Sequence, residues 1–569
     1  MSHPDSIPGH QPLLQTRAER TGFAETSLHA DVVEFIRQVH RLAPDRMRVS
    51  SMGSSAEGRD MPVVVLSDLE AFTPAAARRA GKPIVMVNAN IHAGEVEGKE
   101  ALLAFMRDMT LGDLRPLLDQ LTLVFIPILN PDGNVRISPE NRKLELDALE
   151  GQINPPGGVG IRNTGQGWNL NRDYMKQEAI ESNNLSRLYG EWWPHVFIDC
   201  HTTDGSIHAY DLTYDTAHTP LSGPAGPIEY MRTKLLPAVS EAVWHNDRRR
   251  GFFYGNYPDQ EDPRSGWETY PGLPRFGSHY RGLTGRFDVL LETYSYIDFA
   301  ARVETISAFL LEIFRYVASH ADEVIAITDQ AERDTIARGR DPQPDDFVGI
   351  NYGAQRRSSD GRLTFDWPVY PLEETSITAY DLESIRERRV PGRRVVTYHT
   401  THRARFIPSI SVPRPFAYLV TDSPIVEKLR QHNVECEELT RPLDLEVETS
   451  IVLSSEKTES PDICTGIERF ETVLATRKER RTVRFESGTL VVLTGQRLGN
   501  LVVYLLEPES DDGLARWEFF DPAIRIGEPF PVYRVLAPAE LPTRTQAAAP
   551  TSPPKRAAGG GRRRGRTGA

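Results

Sequence analysis

The chain has 569 residues, 39% hydrophobic and 25% charged, an ordinary globular composition in a length too great for one core. No run approaches the roughly 20 apolar residues that a membrane helix needs, so no membrane is expected as a partner. The net charge is −13, but residues 542–569 carry seven Arg or Lys and no acid, leaving about −20 on the body and arguing against nucleic acid as the main partner.

In chain order, residues 1–20 form a polar N-terminal extension with Pro4, Pro8 and Pro12. It lacks the apolar core of a secretory signal, so a cytoplasmic location is expected. Residues 21–335 alternate apolar strands with amphipathic stretches, the pattern of an α/β domain. Val32, Val33, Phe35, Ile36, Val39 and Leu42 repeat at helical spacing, which predicts a helix over 31–42. A polar segment, 336–346, with Pro342 and Pro344, reads as a linker. Short β-branched runs then predict a mostly β accessory domain over 347–541, with one helix near 423–432. The Pro-, Ala-, Gly- and Arg-rich residues 542–569 are expected to be a disordered basic tail.

Ligands of open α/β sheets bind beyond the carboxyl ends of strands. Four apolar runs stop abruptly at polar residues. Ile84–Val87 runs into Asn88 and on to His92 and Glu95, and Leu121–Leu129 into Asn130-Pro131-Asp132-Gly133. Val196–Ile198 runs into Asp199-Cys200-His201, and Val289–Leu291 into Glu292. Cys200, Cys436 and Cys464 form no Cys-x-x-Cys pair, so imidazole and carboxylate must hold any metal.

His-x-x-acid spacing alone says little. Composition predicts about two such pairs by chance and the sequence holds five. His92/Glu95 stands apart because it follows a strand, lies in a Gly-containing turn and precedes an apolar helix. His320/Glu323 and His432/Glu435 read as solvated polar positions. A catalytic zinc keeps three protein ligands and an open position, which two imidazoles and a carboxylate provide. Glu292 then suits the role of a general base acting on water, against the plainer reading of a strand-end carboxylate paired with Arg286. No His-Glu-x-x-His, phosphate loop or Gly-x-Ser-x-Gly elbow occurs.

The ordered series His92-x-x-Glu95, Asn130-Pro131-Asp132-Gly133, Asn169-Leu170-Asn171-Arg172, His201 and Glu292 resembles the zinc carboxypeptidase family typified by carboxypeptidase A. The resemblance covers roughly residues 21–327. It implies a three-layer α/β/α sandwich with a mixed, doubly wound sheet and one Zn2+ held by His92, Glu95 and His201. It further implies Glu292 as general base, Asn171 and Arg172 gripping a peptide's C-terminal carboxylate, and Arg162 (with Arg142 second) steadying the oxyanion. Tyr280 is the candidate for the family's mobile substrate-covering tyrosine. Thr202-Thr203-Asp204 departs from the family's usual Ser-Tyr, and Asp173 replaces a second Asn, which leaves side-chain specificity open. Two other readings stand beside the peptidase: a deacylase or amidase on the same fold, and an inactive zinc-binding protein. His399 and His402 read as strand or loop residues, ahead of any metal role, and oligomeric state is not legible.

Overall fold

The structure is a computed structural model that describes residues 14–545 apart from 69–70, 358–362, 367–372, 422–424 and 461–466. The expected disordered tail falls outside the described residues from 546 onward, as does most of the N-terminal extension.

Strands β1 (Met47–Ser54), β2 (Asp60–Leu66), β3 (Ile84–Ala89), β4 (Thr122–Ile126), β5 (Val196–Thr203), β6 (Leu212–Asp215), β7 (Gly251–Phe253) and β8 (Phe287–Tyr294) form one sheet, ordered β1-β2-β4-β3-β5-β8-β6-β7. The four central strands, β4, β3, β5 and β8, run parallel, while β1, β2 and β6 join antiparallel. The sheet is therefore mixed, as the family resemblance implied. Every residue of β3 and β5 is buried, because a parallel centre is covered on both faces.

Alternation along the strands divides the core in two. Val85, Val87, Ile198 and Leu291 face helices α1 (His29–Leu42), α2 (Glu97–Thr110) and α3 (Phe299–Ser319) through Phe35, Leu102, Met106, Phe309 and Ile313. Ile84, Met86, Val124 and Phe197 face the other way, onto Leu185, Tyr189 and Trp192 of Ile180–Trp192. That second face is completed by the C-terminal half: Tyr418, Val492, Val502 and Leu505 belong to the same cluster. The C-terminal region is mostly β, with a seven-stranded sheet built on the long hairpin Leu443–Glu459 and Phe470–Phe485. The long helix Ala321–Arg340 runs into the polar segment read as a linker, so the chain leaves the helix five residues later than composition suggested.

The division at 336–346 is thus one of chain order, not of core. Helix Gly499–Leu506 is wholly buried, and each buried Leu or Val contributes about 1.5–3 kcal/mol. Several such side chains together rival a domain's whole net stability of about 5–15 kcal/mol. A chain ending after Arg340 is therefore expected to aggregate on expression, where the full chain stays in solution. A soluble, cooperatively unfolding fragment 1–340 would contradict the shared core.

Candidate active site

His92 and Glu95 lie in the turn between β3 and α2. Asn90 adopts φ 59°, a left-handed conformation that Asn tolerates better than most residues. Its Nδ2 donates to the carbonyls of Glu95 (3.0 Å) and Ala93 (3.3 Å), pinning the turn. Gly94 is required here, since a Cβ would sit 2.6 Å from Cδ of Arg142 and 2.9 Å from the Gly160 carbonyl.

His201 arrives from β5. Its register partner on β8 is Glu292, so ligand candidate and base candidate sit side by side on neighbouring parallel strands. His92, Glu95 and His201 are 1%, 2% and 2% exposed, with ligand atoms all within 4.8 Å of one another. Nδ1 of His92 lies 3.0 Å from Oε1 of Glu95, and Nδ1 of His201 lies 3.0 Å from Oε2.

The donor set fits a cation. Buried ring nitrogens are normally hydrogen-bonded, yet Nδ1 of His92 has no hydrogen-bond partner despite the adjacent carboxylate oxygen. Its Nε2 donates to Oδ1 of Asn169 at 3.1 Å, and Nε2 of His201 lies 3.5 Å from Asp199. Such outer partners orient the inner nitrogens toward a metal. Burial, reinforced by Arg162, lowers His92 to about 3 and keeps it neutral, the form a metal needs. For Glu95 burial acts upward, but His92, Arg142 and His201 outweigh it and hold the carboxyl ionised. For His201 burial acts downward, and Asp199, Glu292 and Glu95 outweigh it and raise the imidazole. Glu292 is pushed up to about 8, chiefly by burial, with His201 opposing and Glu95 adding to the rise. A divalent cation nearby favours the ionised carboxylate.

Asn169 joins two parts of the site. The oxygen that meets His92 also accepts from the backbone N–H of Asn171 at 3.1 Å, fixing the turn Leu170–Arg172. Oδ1 of Asn171 accepts from the Gly277 N–H at 3.1 Å. The Arg172 guanidinium lies 4.1 Å over the Phe276 ring and donates to the Asn171 carbonyl at 2.8 Å.

These groups line a cleft of about 260 Å³, together with Arg142, Arg162, Asp204, Tyr254, Tyr270 and Ser278. Both arginines donate to Oε1 of Glu95, Arg142 at 2.9 Å and Arg162 at 3.0 Å. Arg142 is also tied to Gln152 and the Thr202 carbonyl and is 11% exposed, whereas Arg162 is 39% exposed.

Of the nine residues given a site role from the sequence, Arg142 included, eight share this cleft; Tyr280 does not. It is 5% exposed and its hydroxyl meets Nδ1 of His432 at 2.8 Å, within the core shared with the C-terminal half. The reason is local. Ser278 of helix Gly277–Gly282 faces the cleft, and a residue two further on points about 200° away. Tyr254 and Tyr270 are the tyrosines that line the cleft, in a stretch with no motif to mark them. Asp199 was legible in principle, since it shares a strand face with His201.

Residues 32–195 match the family model described as zinc carboxypeptidase. Carboxypeptidase 2 of Trichophyton tonsurans is 22% identical over 512 residues, covering 84% of this chain and 81% of that protein. A protein named inactive metallocarboxypeptidase ECM14, of Ajellomyces dermatitidis, is 29% identical over 162 residues, 27% of this chain and 25% of its own. A solved metallo-carboxypeptidase from Burkholderia cenocepacia aligns with TM-score 0.37 and 19% identity over 52% of this chain and 69% of its own.

Proposed function

Because this chain belongs to the zinc carboxypeptidase family, whose cofactor is Zn2+, we propose that it removes C-terminal residues from peptides, with Glu292 as general base. The observation that carries the reading is the register pairing of Glu292 with His201, which sets a carboxylate of raised pKa beside the buried His92–Glu95–His201 set. A non-catalytic metal site has no need of that carboxylate.

His92, Glu95 and His201 would hold the metal, which when bound supplies a Lewis acid for the scissile carbonyl and acidifies water. Glu292 takes the proton of the attacking water on a carboxylate oxygen and returns it to the leaving nitrogen. Arg162, the more exposed of the two arginines on Glu95, can swing to the developing oxyanion, while Arg142 stays with its three partners. Arg172, with Asn171, grips the terminal carboxylate and sets the register of cleavage.

Replacing Arg172 by Met tests the exopeptidase assignment. Charge-assisted hydrogen bonds contribute about 1.5–3 kcal/mol each, so kcat/KM on free-acid peptides is expected to fall about 10²-fold or more. An N-acyl amino acid series assayed in parallel tests the deacylase reading. Rapid turnover of those compounds, with inert peptides, would replace the peptidase by the deacylase.

A further inference from the structure

The turn that carries Phe276 is held from the far half of the chain. Asp512, fully buried, accepts from both the backbone N–H and Nε of Arg275, the latter at 3.0 Å. Nη1 of Arg275 reaches Glu471 at 2.9 Å, and Arg516 holds the second Glu471 oxygen at 2.7 Å. Trp517 donates its indole N–H to Asp512 at 2.9 Å and stacks under the Arg275 guanidinium at 4.5 Å.

The other wall of the clamp touches the same turn. Lys176, four residues after Arg172, places Nζ 3.6 Å from the Trp517 ring centre. Residues 511–517 therefore brace both segments that meet at the carboxylate grip: 172–176 on one side and 275–278 on the other. A charge network this deeply buried gains little net stability over apolar packing. Its distinctive property is directional: a carboxylate that grips one residue by backbone and side chain fixes that residue's orientation.

We propose that the C-terminal region positions the substrate-carboxylate clamp, with Asp512 as the positioning residue acting through Arg275, Phe276 and Arg172. The inference rests on the carboxypeptidase reading of Arg172 and extends it. Asp512 locks Arg275; the next residue, Phe276, is thereby fixed beneath the Arg172 guanidinium, and the Gly277 N–H is held against Asn171. The accessory region is on this account part of the substrate-recognition machinery.

The test uses the full-length, zinc-loaded protein and two probes that cannot be hydrolysed as peptides, 3-phenylpropanoate and its primary amide, as competitive inhibitors. The wild type is expected to favour the acid by at least about tenfold. Asp512→Asn keeps the shape but drops the charge, and is expected to erase most of that preference and raise KM about tenfold, with kcat and zinc content little changed. Asp511→Asn is the control. Asp511 is 8% exposed in the same turn but accepts from Tyr504 and the Tyr352 N–H, away from the clamp, so the preference should persist. If Asp512→Asn does not fold, Arg275→Lys reads the same link.

A wild type with no acid preference would remove the clamp reading of Arg172 and this inference with it. A wild type with the preference, retained in full by Asp512→Asn or Arg275→Lys, would overturn the positioning role alone. An equal loss in Asp511→Asn would also overturn it, by showing general loosening of the turn.

Discussion

Replacing Glu292 by Gln is expected to lower kcat by about 10³-fold or more while zinc content and thermal unfolding stay near wild type. The variant is isosteric and Glu292 is not among the three grouped ligand candidates, so the metal set His92, Glu95 and His201 is left intact. What disappears is the carboxylate that the sheet register sets beside His201, the proton acceptor of the proposed reaction. The amide cannot take a proton from water, and its nitrogen cannot return one to a leaving amine. The measurement is steady-state turnover on a free-acid peptide, with metal analysis of the same preparation. Retention of more than a tenth of wild-type kcat would remove Glu292 from the mechanism.

The second large effect is expected on stripping the metal. Chelation should reduce hydrolysis to background, and readdition of zinc should restore it. The fold should survive: Glu95 is buried, but its charge is met by Arg142 and Arg162 as well as by the two imidazoles. Buried charge is costly only when left uncompensated. Thermal stability should fall with the metal, since a ligand at a thousandfold excess over its Kd contributes about 4 kcal/mol to the native state. Circular dichroism and calorimetry on chelated and reloaded protein check both halves. Outright unfolding on chelation would show that the arginines do not compensate Glu95.

Much of the site was legible because its parts end on strands. The sequence shows where an apolar run stops at His92, His201 or Glu292, and parallel strands bring such ends to one edge. The turn Asn130-Pro131-Asp132-Gly133 also reads correctly, since Asn130 caps a short turn by accepting from the Gly133 N–H. Tyr280 failed because family order fixes its place in the chain but not its face on a one-and-a-half-turn helix. Tyr254 and Tyr270 carried no periodic or motif signal. Least legible was the bond between the halves. Arg275 and Asp512 lie 237 residues apart, and neither neighbourhood announces the other. The β-rich composition of the second half was plain from its short β-branched runs. That its helix Gly499–Leu506 completes the core of the first half follows only from packing.

The proposed function is metal-dependent removal of residues from a free C-terminus. The most direct measurement is release of amino acids from one peptide in two forms, free acid and C-terminal amide, by zinc-loaded protein. The account predicts stepwise release of C-terminal residues from the free acid, abolished by chelation, and none from the amide. Equal release from both forms, internal cleavage, or release that survives chelation would contradict it.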